Sequence, residues 1–408
     1  RDSVASRGLG DVYKRQDQIR AMLKNACLST MGQEQVDKMT YSTRIEEISQ
    51  WLQQICELQR VMEEEERFPL QYFFDMRAAL ARIRLENTHL EEEELFDLRR
   101  SLDTIFRMVN LLRQGEDGEN LADESPNGED TDTAPITYRY PVLSKLTEKV
   151  TLFPQILQRI DQILDKLGHI RDNATPALAQ IRMELKRAEG SVSRTLNSIL
   201  RTAQSDGLVD QDVAPTLRDG RLVIPIAPGM KRKIKGIVHD ESATGRTVFI
   251  EPTEVVEANN RIRELETEER KEVIRILTAV TQSIRPRIPQ LLQAYRMLGN
   301  IEFIYAKVQL AKQTKAIAPT IEAQPLIDWI GAVHPLLRQS LAKQGKKVVP
   351  LDITLTAEKR ILIISGPNAG GKSVCLKTAC LLQYMLQCGL CIPVGAVSYT
   401  HLTLPTTP

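Results

Sequence analysis

Cysteine and aromatic residues are scarce in this 408-residue chain, and neither sign of charge is in excess. The 54 Lys and Arg residues against 53 Asp and Glu leave a net charge of +1. That balance excludes a globally basic nucleic-acid coat and an acidic disordered tail protein. Aromatic residues at 5% and charged residues at 26% are typical of a helix-rich chain, and the length allows two to three domains.

The six cysteines do not form the pattern of a disulfide framework, so reduced thiols are expected. Cys388 and Cys391 have the C-x-x-C spacing of a metal or redox pair. Because a zinc site needs a second ligand pair and none is near in the sequence, we predict buried small thiols here.

Long hydrophobic runs are also lacking. The most apolar stretch, residues 374–397, contains one lysine and two glutamines and predicts a buried core helix with the segment after it. Residues 1–16 are basic and polar, unlike a signal peptide. We therefore expect a cytoplasmic protein with no membrane partner.

The two ends lack the patterns of folded segments. Residues 1–16 show no helical or strand period, and residues 395–408 form a Thr- and Pro-rich run. Both resemble translated vector or adapter sequence, and the alternative is a pair of ordinary frayed termini. On the first interpretation the informative chain runs from about Asp17 to Val394, and the natural protein is longer.

Helical periodicity dominates the first half of the chain. Apolar residues recur at three- and four-residue spacings from Gln18 to about Arg113, which predicts an antiparallel helical array. Residues 114–135 contain eight acids and no base and predict a solvated loop. Two helices are then expected, from Leu143 to about His169 and from Pro176 to about Thr202, with Thr175 as the N-cap of the second.

A small β module interrupts the helices. Residues 221–226, 233–238 and 246–250 predict three short antiparallel strands. A helix from Glu254 to about Arg285 follows and would be about 48 Å long. The simplest packing is an antiparallel pair of rods with the β module at the far end. A further helix is expected from Pro289 to about Gln313.

The strongest motif lies near the end of the chain. Residues 360–364 form an apolar run after their first residue and predict a buried parallel strand. That run leads into G-x-x-x-x-G-K-S, the phosphate-binding loop that usually joins a strand to a helix. Its residues are Gly366, Pro367, Asn368, Ala369, Gly370, Gly371, Lys372 and Ser373.

Each position of this loop has a chemical role. The glycines let successive N–H groups point at phosphate oxygens, and the helix from Lys372 adds its positive end. Lys372 is expected to reach the β- and γ-phosphates of ATP, and Ser373 to bind Mg²⁺. Hydrolysis also needs an acid on a second strand, but no Asp or Glu follows the loop. No catalytic residue is therefore assigned.

The sequence GPNAGGKS after RILIIS resembles the P-loop of the MutS family, which is related to the ABC-type ATPases. The segments RDGRLVIPI, KGIVHDESATGRTVFIEP and ELETEERKE most resemble the bacterial MutS-two branch. Those proteins are endonuclease paralogues of MutS that lack the mismatch-recognition domain. Residues 331–337, GAVHPLL, resemble the segment that opens the ATPase domain of the family.

The resemblance implies a mainly α fold followed by the N-terminal part of an α/β P-loop domain of the ABC type. The helical core and lever would occupy residues 17–204, the β clamp tip 205–252, the returning lever 253–316 and the ATPase part 317–394. On this resemblance the chain stops after the Walker A helix. It lacks the Walker B acid, the dimer-contact helices and the Smr nuclease domain, so neither hydrolysis nor nuclease activity is assigned to any residue.

Proteins of this kind are ATP-dependent homodimers that clamp branched or recombination-intermediate DNA and suppress recombination. Members also associate with collided ribosomes, so a ribosome-associated factor that binds rRNA is the alternative. A chromosome-organising coiled-coil ATPase is a third candidate. It fits less well because rods of about 45 Å are too short for that class.

A basic cluster on the predicted tip is the candidate nucleic-acid contact. It would neutralise phosphates without reading sequence, and the alternative is a solvated hairpin. The cluster consists of Lys231, Arg232, Lys233 and Lys235, and it could be extended by Arg218, Arg221 and Arg246.

Three weaker candidates remain. His334, before Pro335, is either a turn histidine or a neighbour of the nucleotide base. His239 stands beside two acids, as in a metal or acid/base cluster, but the turn that follows favours an exposed hairpin. Residues 96–99, FDLR, superficially suggest a nuclease motif, yet their strong helical pattern favours a structural role.

Overall fold

A computed structural model gives the structure of the chain, which divides into two compact units. The larger unit consists of Arg1–Leu80, Asp97–Phe153 and Arg287–Pro408, and the smaller unit of Ala81–Phe96 and Pro154–Pro286. The residues that the structure describes are 4–115, 137–207, 209–210, 212–218, 220–324, 326–367, 371–396 and 398–400.

The N-terminal part of the chain is helical, as predicted. Apolar side chains at helical spacing face inward; Ile48, Leu52 and Ile55 of α3, for example, are at most 4% exposed. The Ser29 side chain accepts a hydrogen bond from the Met31 N–H and caps α2. The helices are α1 (Val4–Ala26), α2 (Thr30–Lys38), α3 (Ile45–Glu64), α4 (Arg77–Arg82), α5 (Glu92–Leu112) and α6 (Pro141–Ser144).

Two features differ from the expectation for this part. α1 begins at Val4 and so includes most of residues 1–16, because extending a helix that has already nucleated costs little. The single helix predicted from Leu143 to His169 is wrong. The chain forms α6 and then α7 (Pro154–Ile163), because proline lacks an N–H and disfavours a helical residue before it. Most of the predicted acidic loop, residues 116–135, lies outside the described residues.

The smaller unit contains the predicted pair of long antiparallel helices, α8 (Pro176–Ser205) and α9 (Thr253–Ile284). The Thr175 side chain caps α8 by accepting from the Leu178 N–H at 3.1 Å. Its hydroxyl also donates to Glu272 at 2.7 Å, while Arg182 donates to Glu269 at 2.7 Å. These bonds join the start of α8 to the later half of α9, which fixes the antiparallel direction.

A four-stranded antiparallel sheet forms the β tip, in the order β1-β2-β4-β3. Three of its strands correspond to the predicted ones, although β3 and β4 begin two to three residues later, and β1 was not predicted. Buried residues of the sheet, such as Ile224 and Ile250, pack with Leu196 of α8 and Val255 of α9 in one apolar cluster. The strands are β1 (Thr216–Arg218), β2 (Arg221–Ile226), β3 (Gly236–Glu241) and β4 (Val248–Pro252).

The last part of the larger unit begins with a helix that is buried on most sides and continues into a small mixed sheet. The strand order is β5-β8-β6-β7, with only the β5–β8 pair parallel. The elements are α10 (Ile288–Thr314), β5 (Thr320–Ile321), β6 (Ile327–Ala332), α11 (Pro335–Ala342), β7 (Leu351–Leu355), α12 (Lys372–Gln387) and β8 (Tyr399–Thr400).

The buried parallel strand predicted at Arg360–Ile364 is not formed. These residues have no strand conformation, and Ile361 and Ile363 are 78% and 85% exposed. A buried parallel strand needs hydrogen-bonded neighbours, and none of the strands in the described ranges lies beside this run. The segment 395–408 also differs from expectation, because Tyr399 and Thr400 form β8.

Membrane insertion finds no support in the helices. Among the residues with described structure, none of the helices combines the length and the apolar character that crossing a bilayer requires.

Candidate nucleotide site and basic tip

The P-loop turns into α12 through glycines in conformations that other residues rarely adopt. Gly366 has φ +142° and Gly371 has φ +84°, and Gly371 is the N-cap of α12. The Gly371 carbonyl accepts from the N–H groups of Val374 and Cys375 at 2.9 and 3.0 Å. Residues 368–370 lie outside the described residues, so the loop is defined at its two ends.

The charged groups of the motif occupy the start of α12. The Lys372 ammonium donates to the Gly366 carbonyl at 2.5 Å and so spans the two ends of the loop. Ser373 is exposed in the first helical turn. The free N–H groups of this turn and the positive end of the helix favour an anion. The loop ends, the lysine and the serine therefore fit a bound phosphate chain and its metal ion.

The other end of α12 is packed into the helices of the larger unit. Leu382 and Leu386 are fully buried. The Tyr384 hydroxyl accepts from Arg20 Nε at 3.0 Å, and the Gln387 carbonyl accepts from the Ser42 N–H at 2.9 Å. The P-loop thus begins a helix whose far end is held by side chains and backbone from the first 42 residues.

His334 acts as a helix cap. It is 2% exposed, and its Nδ1 accepts from the Leu337 N–H at 3.3 Å at the start of α11. Burial lowers the pKa of His334 to about 4, and the positive charges of Arg15 and Lys377 lower it further. Its Nε2 lies 2.5 Å from Arg15, which requires a neutral ring. The turn-histidine interpretation therefore agrees with the structure, although the influence of Lys377 places the ring near the early turns of α12.

The basic cluster of the tip is exposed, as predicted. Lys231, Arg232 and Lys233 occupy the turn before β3, and Lys235 follows the buried Ile234. Lys231 lies 3.7 Å from Glu241, both partly exposed. A surface pair of this kind contributes little to stability, so the cluster keeps its affinity for phosphates.

The proposed extension of this cluster holds only in part. Arg246 is exposed, but Arg218 stacks over the Phe249 ring at 4.2 Å. Arg221 donates to both oxygens of Glu251 at 2.8 and 2.9 Å and to Asn260 at 2.6 Å. Its guanidinium is therefore a structural group of the tip, because its charge is satisfied inside the fold.

Sequence reasoning missed the centre of this network. The Glu251 side chain is completely buried and also contacts His239 Nε2 at 2.5 Å and Asn259 Nδ2 at 2.7 Å. Burial alone would raise the pKa of Glu251, but hydrogen bonds from Asn259, His239 and Arg221 lower it below its usual 4.5. The only sequence signal was a charged residue inside an apolar strand.

The remaining candidates have structural positions. His239 belongs to the Glu251 network and not to a cluster with the adjacent acids. Asp97 of the FDLR segment lies in α5 and accepts from Arg100 at 2.5 Å. Cys388 and Cys391 are buried free thiols. Within the described ranges, no group of three or more His, Cys, Asp or Glu side chains is placed to hold a metal ion.

The sequence is similar over most of its length to curated bacterial proteins named Endonuclease MutS2. It is 32% identical over 377 residues to one from a Geobacillus species and 33% identical over 379 residues to one from Levilactobacillus brevis. These alignments cover 92% and 93% of this chain but 45% of each relative. A third, from Pelotomaculum thermopropionicum, is 37% identical over 257 residues, which are 63% of this chain and 32% of that protein.

The chain thus spans less than half the length of the curated relatives that it matches. No family model matches the sequence. The similarity supports a place in the MutS2 family, as the P-loop and tip segments predicted.

Proposed function

We propose that this chain is the clamp and P-loop part of a MutS2-family protein, and that it binds DNA under the control of ATP. The proposal starts from the similarity to proteins named Endonuclease MutS2. Its main structural support is the Gly371–Lys372 junction, where a left-handed glycine caps α12 and the adjacent ammonium faces the loop. In this account the nucleotide is ATP, and its phosphates lie at the N-terminus of α12.

The chain supplies three groups to the nucleotide. Backbone N–H groups of the first turn of α12 would bind phosphate oxygens, and Lys372 would exchange the Gly366 carbonyl for the β- and γ-phosphates. Ser373 would hold Mg²⁺, which neutralises the phosphate charge. No acid is assigned to hydrolysis, so the proposal for these residues is nucleotide binding.

DNA would be held by the β tip. Four exposed bases occupy five positions at the end of a rigid pair of helices, and they can neutralise phosphates without base contacts. The expected ligand is branched or recombination-intermediate DNA, gripped by a homodimer that suppresses recombination. ATP binding would open or close that clamp. The ribosome alternative predicts instead that structured RNA is the tighter ligand.

The test measures binding of the 408-residue chain to a labelled four-way DNA junction, with and without Mg-ATP. A tip variant carries Lys231→Gln, Arg232→Gln, Lys233→Gln and Lys235→Gln. A control removes the same charge elsewhere through Lys312→Gln, Lys343→Gln, Lys346→Gln and Lys347→Gln, all at exposed positions. We expect the tip variant to lose at least tenfold in affinity and the control to change little. Equal losses in both variants would contradict a tip contact, and tighter binding to structured RNA would favour the alternative.

A further inference from the structure

The outer face of α8 carries a line of arginines. Arg187, Arg194 and Arg201 are seven residues apart, so they lie along one side of the helix at intervals of about 10 Å. All three are exposed. The opposite side of α8 holds the buried Val192 and Leu196, which pack into the apolar cluster of the tip. We name Arg187, Arg194 and Arg201 the arginine stripe.

Within the part of the chain that the structure describes, no carboxylate forms an ion pair with any arginine of the stripe. The ion pairs of α8 use Arg182, Lys186 and Glu184 instead. The nearest acid is Glu184, whose pKa is lowered slightly by the Arg187 charge as well as by its own hydrogen bonds. From residue 190 to the end of α8 the helix contains no acid.

A shallow groove accompanies the stripe at Gly190. The groove has a volume of about 540 Å³, and its lining includes Arg187, Gly190, Arg194 and Met183. A Cβ added to Gly190 would meet no atom within 4 Å, so the helix backbone is open between the two arginines. A phosphate group can therefore approach the helix closely at this point, with a guanidinium on either side.

The partner helix shows that such a stripe is not a general property of the rods. α8 has five bases and two acids, a net charge of +3, whereas α9 has five bases and seven acids, a net charge of −2. The exposed Arg261 of α9 contacts Glu184, Glu264 and Glu268 within 3.5 Å. Mixed charges of this kind solvate a helix, while a face with one sign attracts a polyanion.

We infer that the arginine stripe is a second contact for the phosphate backbone of duplex DNA, separate from the basic cluster of the tip. It extends for about 21 Å, which corresponds to about six base pairs at 3.4 Å each. Because guanidinium groups pair with phosphates in two-pronged geometry, three arginines suit this role. The inference rests on the proposed function, since it gives the same ligand a longer path on the protein.

The test uses the 408-residue chain and a labelled 20-base-pair DNA duplex over a series of salt concentrations. The stripe variant carries Arg187→Gln, Arg194→Gln and Arg201→Gln. A matched control removes three charges from α9 through Arg263→Gln, Arg270→Gln and Lys271→Gln. Glutamine has a high helix propensity, so both helices are expected to keep their helical circular dichroism.

The stripe variant is expected to bind the duplex at least tenfold more weakly, equally for different sequences. The slope of log K against log salt should become shallower by about two to three, which corresponds to three lost phosphate contacts. The α9 control should keep the original slope.

Three results would overturn the inference. The first is an unchanged slope in the stripe variant, the second is an equal change in the α9 control, and the third is stronger stripe-dependent binding to duplex RNA. The tip variant separates this inference from the proposed function. If only the tip variant loses affinity, the stripe is wrong and the tip contact stands, and if only the stripe variant does, the tip contact is wrong.

Discussion

The Lys307 ammonium donates to the carbonyl oxygen of Gly389 across 3.2 Å, just beyond the C-terminal end of the P-loop helix. A longer bond of 3.4 Å reaches the Cys388 carbonyl, and the Phe303 ring lies 4.5 Å away. Gly389 has φ +65°, and a Cβ there would lie 2.6 Å from Trp51. These contacts fix where α12 ends against α3 and α10, while its other end carries the P-loop.

Replacing Lys307 by methionine should stabilise the larger unit at pH 7. Burial lowers the pKa of Lys307 to about 8, so the buried ammonium opposes folding by roughly 3 kcal/mol at most. The loss of a donor to two carbonyls offsets part of this gain, about 1–2 kcal/mol. We expect a net rise of about 1–2 kcal/mol in the free energy of unfolding, measured by urea denaturation. Lys312→Met, at an exposed position of the same helix, is the control.

The same side chain predicts a pH dependence. The pKa of Lys307 is lower in the folded chain than its usual 10.5, so between about pH 8 and pH 10.5 the unfolded chain binds more protons. Stability from this group therefore rises with pH over that window and is constant below it. The difference between Lys307→Met and the original chain should shrink from pH 8 to pH 10.5. A difference that stays constant would contradict a buried charge.

The Glu251 network should control the stability of the β tip. In Glu251→Ala the largely buried Arg221 and Asn259 lose their acceptor, which is expected to cost about 3–5 kcal/mol. Because the pKa of Glu251 is lowered in the folded chain, its contribution is present above about pH 4.5 and is lost as the pH falls below that value. Hydrogen exchange of the β4 amides, corrected for intrinsic rates, measures both effects. Glu241→Ala, at an exposed position of β3, should leave exchange almost unchanged.

The two buried thiols near the end of α12 should resist alkylation. Burial raises the pKa of Cys391 to about 12 and also raises that of Cys388, and only the thiolate reacts readily. With iodoacetamide at pH 8 we expect the exposed Cys56 to be modified well before either. Peptide mass spectrometry measures the order, and the unfolded chain in guanidinium is the control. Equally fast modification of Cys391 and Cys56, or retention of zinc by the pair, would contradict this account.

Local signals in the sequence predicted the helices and most of the tip. The Thr175–Pro176 start of α8 and the periodic apolar residues of α9 depend only on neighbouring residues, so both helices begin within a residue of the predicted positions. The Pro154 break in the first predicted helix was also a local signal, but the apolar spacing around it concealed the stop. β1 has three residues and forms by pairing with β2, which a local pattern does not encode.

The long-range features could not be predicted in this way. The apolar run at Arg360–Ile364 has the composition of a buried strand, yet strand formation depends on neighbours, and the run is exposed. The Glu251 network likewise joins residues that are up to 39 positions apart, such as Arg221 and Asn260. The sequence predicted the chemistry of the P-loop motif, whereas the Lys307 contacts emerged only from packing.

The left-handed conformation of Gly371 should matter for nucleotide binding. A Cβ added at Gly371 meets nothing within 4 Å, so Gly371→Ala would act through backbone strain of about 1–2 kcal/mol and not through a clash. We expect roughly tenfold weaker ATP binding. Gly345→Ala is a matched control, because Gly345 has φ +69° and an equally open site away from the loop. If both variants bind ATP as the original chain does, the observed loop conformation is not the binding one.

The central claim, that residues 366–373 bind ATP, is tested most directly by titrating the 408-residue chain with a fluorescent ATP analogue and Mg²⁺. The comparison is with Lys372→Ala, and Lys346→Ala serves as a control for the loss of one exposed lysine. The account predicts saturable binding that Lys346→Ala preserves and Lys372→Ala weakens by at least tenfold. Undiminished affinity in Lys372→Ala would contradict it.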